Sequence, residues 1–371
     1  MEITVNRDVF LKSLSHAYGI IEKKSTLPIL SNILIEAKEA KVKITATDLD
    51  IIYSEVFPAQ ELKTEGSTTT SASILYDILR KLEPNSKVHL SLQSQNKLKL
   101  ESGNSKFNLL CMPSDNFPIS EENFEQESFE VPSQKLMKLL SKAKISISTD
   151  ETRHYLNGIF FHKTNLENKI FLTGVATDSH RLSSSSLEIE KNIVFEPIIL
   201  PKKTIFQLIS LMEQSSAKIK ISNNKSKVKF VMDSGILISK VIDGRFPDYS
   251  KVVPKDNNKI LQIKLNDFKN SIERVTTVSA DKKEGLKMAI KKDSLQLSVN
   301  SPNSGEGVEN IPANFNSEDM SISFNSRYLI DITSQIENEK IIMNLKEPGS
   351  PVLIKDLSDK LSFHVVMPMK I

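Results

Sequence analysis

Six stretches of the chain carry apolar residues at helical spacing, and they fall into two sets of three. The first set is NRDVFLKSLSHAYG (6–19), PSQKLMKLLSKAKI (132–145) and NDFKNSIERVTTVS (266–279). Each opens with Asn or Pro-Ser, where a cap or first-turn proline belongs, and continues with apolar positions such as Val9, Phe10, Leu14 and Ala17. The second set is SASILYDILRKL (71–82), PKKTIFQLISLM (201–212) and NSRYLIDITSQI (325–336). Between these helices the pattern switches to alternation with many β-branched residues, which predicts strands. LPILSNILIEA (27–37), YLNGIFFHK (155–163) and GLKMAIKKD (285–293) hold one place in the order. VKITATDLD (42–50), IFLTGVATDSHRL (170–182) and LQLSVNSPN (295–303) hold the next. FNLLCMP (107–113), ILISKVI (236–242) and LSFHVVMPM (361–369) close each series.

Matched segments in the same order three times over indicate three copies of one β-rich unit with two helices each. FEQESFEVP (124–132) and PKDNNKI (254–260) are polar and loop-like, which places domains at 1–124, 125–256 and 257–371. The predicted class is α+β, with helices packed on antiparallel sheets.

Composition narrows the function. The 371 residues are 39% hydrophobic and 26% charged, enough for real cores and unlike a disordered chain. Cys111, the single cysteine, permits no internal disulfide, which fits a reducing compartment. No apolar run approaches a membrane span, and the start MEITVNRDVF does not read as a secretory signal. The expected location is the cytoplasm. Net charge is only +3, distributed as −2, +5 and 0 over the three domains. Basic residues concentrate on helices, notably Lys135, Lys138, Lys142 and Lys144 with no acid among them. Such a face is either a solvated helix surface or one turned to a polyanion. A surplus this modest would hold DNA loosely, leaving something other than charge to prevent escape.

Catalytic chemistry is sparse. Asp178, Ser179 and His180 are adjacent, but a triad needs groups converging from separate segments. His16, His89, His154, His162 and His364 are scattered, with no spacing that predicts a metal site. Gly305-Glu306-Gly307 lacks the Lys-Ser/Thr of a phosphate loop. No cofactor is expected. A binding protein is the leading reading; a hydrolase using Asp178, His180 and Arg181, and a scaffold that does not touch DNA, are the rivals.

Several strings resemble the bacterial DNA polymerase III beta subunit family of sliding clamps: LPILSNILIEA, ITATDLDI (44–51), YLNG (155–158), ATDSHRLS (176–183), VIDGRFPDYSKVVP (241–254) and the terminal VVMPMKI (365–371). The resemblance runs the whole length. It implies a non-catalytic processivity factor, a head-to-tail homodimeric ring around duplex DNA, and docking of the polymerase, clamp loader, other polymerases and repair proteins through short apolar motifs. The implied peptide pocket is Leu156, Thr177, Ser179, His180, Arg181, Leu182, Pro247, Lys251, Val252, Asn325, Tyr328, Val365, Val366, Met367, Pro368 and Met369. The implied DNA contacts are Lys24, Ser73, Asp150, His154 and Tyr155, and the implied interface is Phe107 and Leu109 against Thr277 and Val278. Ser179 stands where the family usually has glycine, Lys251 where it has arginine, and Thr277 where it has an aliphatic residue.

Overall fold

The computed structural model describes residues 1–371 except 23–25, 95, 120–123, 125–127, 214–217, 280–284 and 370–371. Among the described residues six α-helices match the six predicted segments, one of them opening a residue early: α1 (Arg7–Tyr18), α2 (Ala72–Lys81), α3 (Ser133–Lys144), α4 (Lys202–Met212), α5 (Leu265–Val275) and α6 (Ser326–Thr333). The caps follow the sequence at α1 and α6 but not at α5, which starts at Leu265, ahead of the expected Asn266, with no side-chain cap from Lys264. Asn6 Oδ1 accepts from the N–H groups of Asp8 and Val9 at 2.9 and 3.2 Å, and Asn325 Oδ1 accepts from Arg327 N at 3.0 Å. Two strand expectations start late. Pro28–Ser31 forms a 3₁₀ turn before the strand Asn32–Lys38. Glu151–Leu156 forms another before the strand Gly158–Leu166. At Gly158 the neighbouring strand comes so close that an added Cβ would collide with the Leu200 carbonyl oxygen.

The chain divides into two compact units that cut through the middle third. The first holds Met1–Gln134, Val194–Glu196 and Phe206–Val241; the second holds Lys135–Ile193, Pro197–Ile205 and Ile242–Ile371. Among the described residues, each contains one continuous sheet, of thirteen and twelve strands.

In the first unit, α1 and α2 pack together, and Arg7 Nε donates to the Leu79 carbonyl at 2.6 Å. Phe10, Leu14 and Ala17 of α1 are buried, as the helical spacing requires. The sheet is continued into middle-third residues by pairing of Ile51–Pro58 with Gly235–Lys240, Tyr53 opposite Leu237 and Ile52 opposite Ile238. Behind that seam Tyr53 is buried, with its hydroxyl 2.9 Å from Glu55 Oε2. Ser13 Oγ donates to Glu55 Oε1 at 2.7 Å, and His16 Nδ1 lies 2.8 Å from Glu55 Oε2.

The second unit repeats the device. Arg181–Ile189 pairs antiparallel with Asp359–Val366, Leu182 opposite Val365. Leu261, Phe268, Ile272, Phe324, Leu329, Ile341 and Val366 lie in one buried core. Lys142 of α3 is 2% exposed and donates to Asp359 Oδ2 at 2.7 Å and Ser362 Oγ at 3.2 Å, with Asp356 Oδ2 at 3.9 Å. Lys138 pairs with Glu337 at 2.8 Å. The helix has no acids of its own, but Lys138 and Lys142 are spent on carboxylates of the same unit, so its basic residues do not all face outward to a polyanion. A lysine ammonium is buried only with such partners.

Candidate docking site

In the second unit the strands Lys169–Thr177 and Arg181–Ile189 are joined by a three-residue turn. Asp178 Oδ1 accepts from the N–H groups of His180 and Arg181, both at 2.9 Å. Thr177 Oγ1 accepts from Ser179 N at 3.1 Å and donates to the Arg181 carbonyl at 2.7 Å. Ser179 sits at φ +77°, a left-handed conformation that favours glycine. Arg153 Nη1 donates to Ser179 Oγ at 2.6 Å, a contact glycine could not make.

Arg181 is more than a surface charge. Its Nε lies 3.0 Å from Asp178 Oδ2, its Nη1 lies 2.6 Å from Asp331 Oδ2, and its guanidinium stands 4.3 Å from the Tyr328 ring centroid. Asp178 is thereby committed to Arg181 and to turn N–H groups rather than to a histidine, so Asp178, Ser179 and His180 form no relay.

The turn overhangs a cavity of about 230 Å³ lined by Thr177, Ser179, His180, Arg181, Leu182, Pro247, Asp248, Tyr249, Val252, Val365 and Met367. Leu156 is buried behind it, with Leu182, Phe246 and Val365. The lining residue Tyr249 packs in one cluster with an aromatic stack: Phe246 on Phe160 at 5.0 Å, Phe160 on His162 at 4.5 Å, and His162 Nε2 at 2.9 Å from the Tyr249 hydroxyl. Burial lowers His162 to a pKa of about 4, so the ring is neutral at pH 7 and its Nε2 can take part in that bond uncharged. The chain end is tied down as Met367 N donates to the His180 carbonyl at 2.8 Å and Met369 N to the Ser323 carbonyl at 2.7 Å. A mainly apolar cavity with polar groups at its edge suits an apolar side chain presented on a short peptide.

The remaining pocket expectations lie around this cavity rather than in it. Asn325 and Tyr328 line an adjoining polar cleft with Asp150, Arg153, His180 and Arg181. Lys251 is exposed and reaches Asp248 at 3.4 Å. Pro368 is half-buried and Met369 exposed. Val366 faces the opposite side of its strand from Val365 and belongs to the main core of the unit. Asp248 and Tyr249 were missed as lining residues, although both stand in the DGRFPDY string.

The expected DNA contacts are divided. Lys24 lies outside the described residues. Ser73 is half-buried on α2 of the first unit. Asp150, His154 and Tyr155 come together on the Glu151–Leu156 turn of the second. Hydrogen bonds from Thr152 and Arg153 hold the Asp150 carboxyl below the usual range, so it stays charged, with Arg153 Nε 2.8 Å away. His154 is exposed, its ring edge-on to Tyr155 at 5.8 Å.

The interface expectations are divided too. Phe107 lines a groove of about 390 Å³ with Ile74, Ile78 and Leu82 in the first unit, whereas Leu109 is buried beneath. Leu110, which sequence reasoning passed over, is 83% exposed on the same strand. In the second unit Thr277 is exposed, its hydroxyl donating to the Glu273 carbonyl at 3.1 Å, and Val278 packs partly against the core.

Comparison with known proteins decides the family. Models of the DNA polymerase III beta subunit match end to end: the N-terminal domain at 1–121, the central domain at 130–248 and the C-terminal domain at 250–370. The chain belongs to the DNA polymerase III beta subunit family. A beta sliding clamp of Caulobacter vibrioides is 36% identical over 374 residues, and one of Rickettsia felis is 31% identical over 384, each covering 100% of both chains. Among solved structures, a sliding clamp from Bartonella birtlesii bound to griselimycin is 36% identical with a TM-score of 0.96. The Caulobacter crescentus polymerase III beta subunit is 35% identical with a TM-score of 0.95, and both structures match over 100% of each chain. The fold is thus the three-domain clamp fold, mostly antiparallel sheet, as its repeats predict. The function is that of a DNA polymerase III sliding clamp, a processivity factor of DNA replication with no catalytic activity of its own and with DNA and the polymerase as partners.

Proposed function

We propose that two copies of the chain join head to tail into a ring around duplex DNA, and that the cavity under the 178–180 turn docks short apolar motifs of the polymerase, the clamp loader, other polymerases and repair proteins. The single observation that carries the docking reading is the cavity itself: an aliphatic floor of Leu182 and Val365 set by strand pairing, an adaptable methionine tied to the His180 carbonyl, and a rim of His180 and Arg181. Encirclement by topology needs no base readout, which would hinder sliding. It also agrees with the modest charge and with Asp150 staying ionised beside Arg153. Lys24, Ser73, Asp150, His154 and Tyr155 are the proposed contacts to the duplex.

For the ring seam, the Phe107 groove and exposed Leu110 supply one apolar face, and Thr277 with Val278 the other. The internal bond of the Thr277 hydroxyl leaves its methyl group free to pack, which offsets the departure from an aliphatic residue. The proposed domains are 1–124, 125–256 and 257–371, and the proposed compartment is the cytoplasm, where such a ring meets replicating DNA.

Sedimentation velocity and peptide titration test this together. The chain should sediment at about twice 41.7 kDa. Leu110→Asp should give monomers that still bind a fluorescent polymerase-tail peptide. Deletion of 367–371 should abolish peptide binding and leave the dimer. A monomeric parent would refute the ring, and unchanged peptide affinity after the deletion would refute the pocket.

A further inference from the structure

The turn that overhangs the pocket occurs twice. In the first unit Thr47-Asp48-Leu49-Asp50 joins the strands Lys41–Thr47 and Ile51–Pro58. Asp48 Oδ1 accepts from Asp50 N at 3.0 Å and Ile51 N at 2.7 Å, and Thr47 Oγ1 accepts from Leu49 N at 3.0 Å. Leu49 has φ +77°, the same value as Ser179. Lys240 N donates to the Asp50 carbonyl at 2.8 Å, as Met367 N does to His180. Ile52 stands opposite Ile238, as Leu182 stands opposite Val365. Phe117-Pro118 repeats Phe246-Pro247, with both phenylalanines buried.

Beneath this second turn is a groove of about 440 Å³. Its apolar lining is Leu49, Ile52, Pro118, Ile119 and Ile238, and its charged lining is Asp50, Lys227 and Lys240. Leu49 and Ile119 are 44% and 42% exposed. A leucine held in a left-handed conformation is strained, and such strain concentrates at functional sites. The occupant follows from the rim. Where the pocket of the second unit has His180 and Met367, the groove has Asp50 and Lys240, 3.0 Å apart. The strand running beside it, Lys227–Met232, carries Lys227 and Lys229 and no acid, whereas Lys218 and Lys220 one strand further on pair with Glu130 at 3.1 and 3.8 Å. Lys227, Lys229 and Lys240 outnumber Asp50 on the groove and its flanking strand, and this excess of positive charge favours carboxylates.

We propose that this groove is a second docking site, for extended peptides that combine an aliphatic anchor with adjacent acidic residues. The inference rests on the peptide reading of the pocket in the second unit, because it takes the repeated backbone frame to do the repeated task. The sharper charge gives the groove a different clientele, so that one chain can hold two unlike peptides at once.

The test uses the full chain and a synthetic decapeptide with two photo-leucines two residues apart followed by three glutamates, mapped by mass spectrometry after illumination. Expected labelling is at Leu49, Ile119 or Ile238 as well as at the pocket. A Val252→Glu/Met367→Glu variant should lose pocket labelling only, and Leu49→Glu/Ile119→Glu should lose groove labelling only; all four residues are exposed or at a rim. Changing the three glutamates to lysines should weaken groove binding about tenfold, and raising salt should weaken it in the same sense. Labelling of the pocket alone overturns the inference and leaves the pocket reading standing. Labelling of the groove alone does the reverse, and labelling of neither overturns both. Displacement of the peptide from the groove by a dT20 oligonucleotide at comparable concentration would assign it to nucleic acid and overturn the inference.

Discussion

The two strand seams, Ile51–Pro58 with Gly235–Lys240 and Arg181–Ile189 with Asp359–Val366, share a backbone and differ in what backs it. Both open with a Thr-Asp turn, and both hold the incoming strand by one N–H donated to the same turn carbonyl. Behind the first seam lies a tyrosine–glutamate–histidine cluster, Tyr53, Glu55 and His16. Behind the second lie Lys142 with Asp356 and Asp359, and the fully buried His364, whose Nδ1 is 2.7 Å from Ser183 Oγ. The frame therefore comes from local turn chemistry and strand register, while each unit has its own polar solution for the space beneath. The second solution places more charge out of water, which makes that unit the more sensitive to substitution and to acid.

The largest effect should come from Lys142. Replacing it by methionine leaves Asp356 without its cation and Asp359 with only Lys138 at 3.7 Å, and should cost about 3–5 kcal/mol in denaturant unfolding at fixed protein concentration. Lys135→Met on the exposed face of the same helix should stay within about 0.5 kcal/mol. Equal effects would erase the distinction between buried and surface lysines of α3.

Acid should separate the seams next. Burial lowers His364 to a pKa of about 3, and His162 to about 4. Both folded values lie below the ordinary 6.5. The unfolded chain therefore binds protons first, and stability is lost as pH falls below about 6.5. Each ring should cost about 1 kcal/mol between pH 6 and pH 5, and His162→Phe should remove one share of that slope. The carboxyls add to the loss at lower pH. Burial alone would raise Asp359, but the hydrogen bond and charge of Lys142 outweigh it and hold it below 3.8. Asp356, also opposed by burial, is held low by N–H donors from Glu337 and Ser358 and the Ser358 hydroxyl. Their stabilisation is present above the ordinary carboxylate range and disappears as pH drops through the folded values. A flat stability profile from pH 6 to pH 5 would contradict neutral buried histidines.

The smallest effect compares the two turns directly. Leu49→Gly should stabilise by about 1 kcal/mol by relieving the left-handed leucine. Ser179→Gly should gain less, because it also removes the bond from Arg153. A loss at both sites would mean that the turns are not under strain.

Much of this was readable in advance. The six helices and most strands follow from apolar spacing and from caps such as Asn6 and Asn325, and the repeat order follows from matched segments. The pocket residues Leu182, Val365 and Met367 follow from the resemblance to the clamp family, which no local pattern of this sequence supplies. Side-chain direction was the weak point. Val366 went to the core because successive residues of a strand face opposite ways. The acids that pair with buried Lys142 and with Lys138 lie about 200 residues away, beyond any local pattern. The division of the middle third between two sheets was likewise invisible, because it depends on which strand edges meet rather than on where polar linkers fall.

The ring account is tested most directly by run-off. The chain is loaded onto nicked circular DNA with a clamp loader and ATP, and half of the sample is then cut once to make it linear. Encirclement predicts long retention on the circle and rapid loss from the linear DNA, with little dependence on sequence. Equal retention on both forms would contradict it.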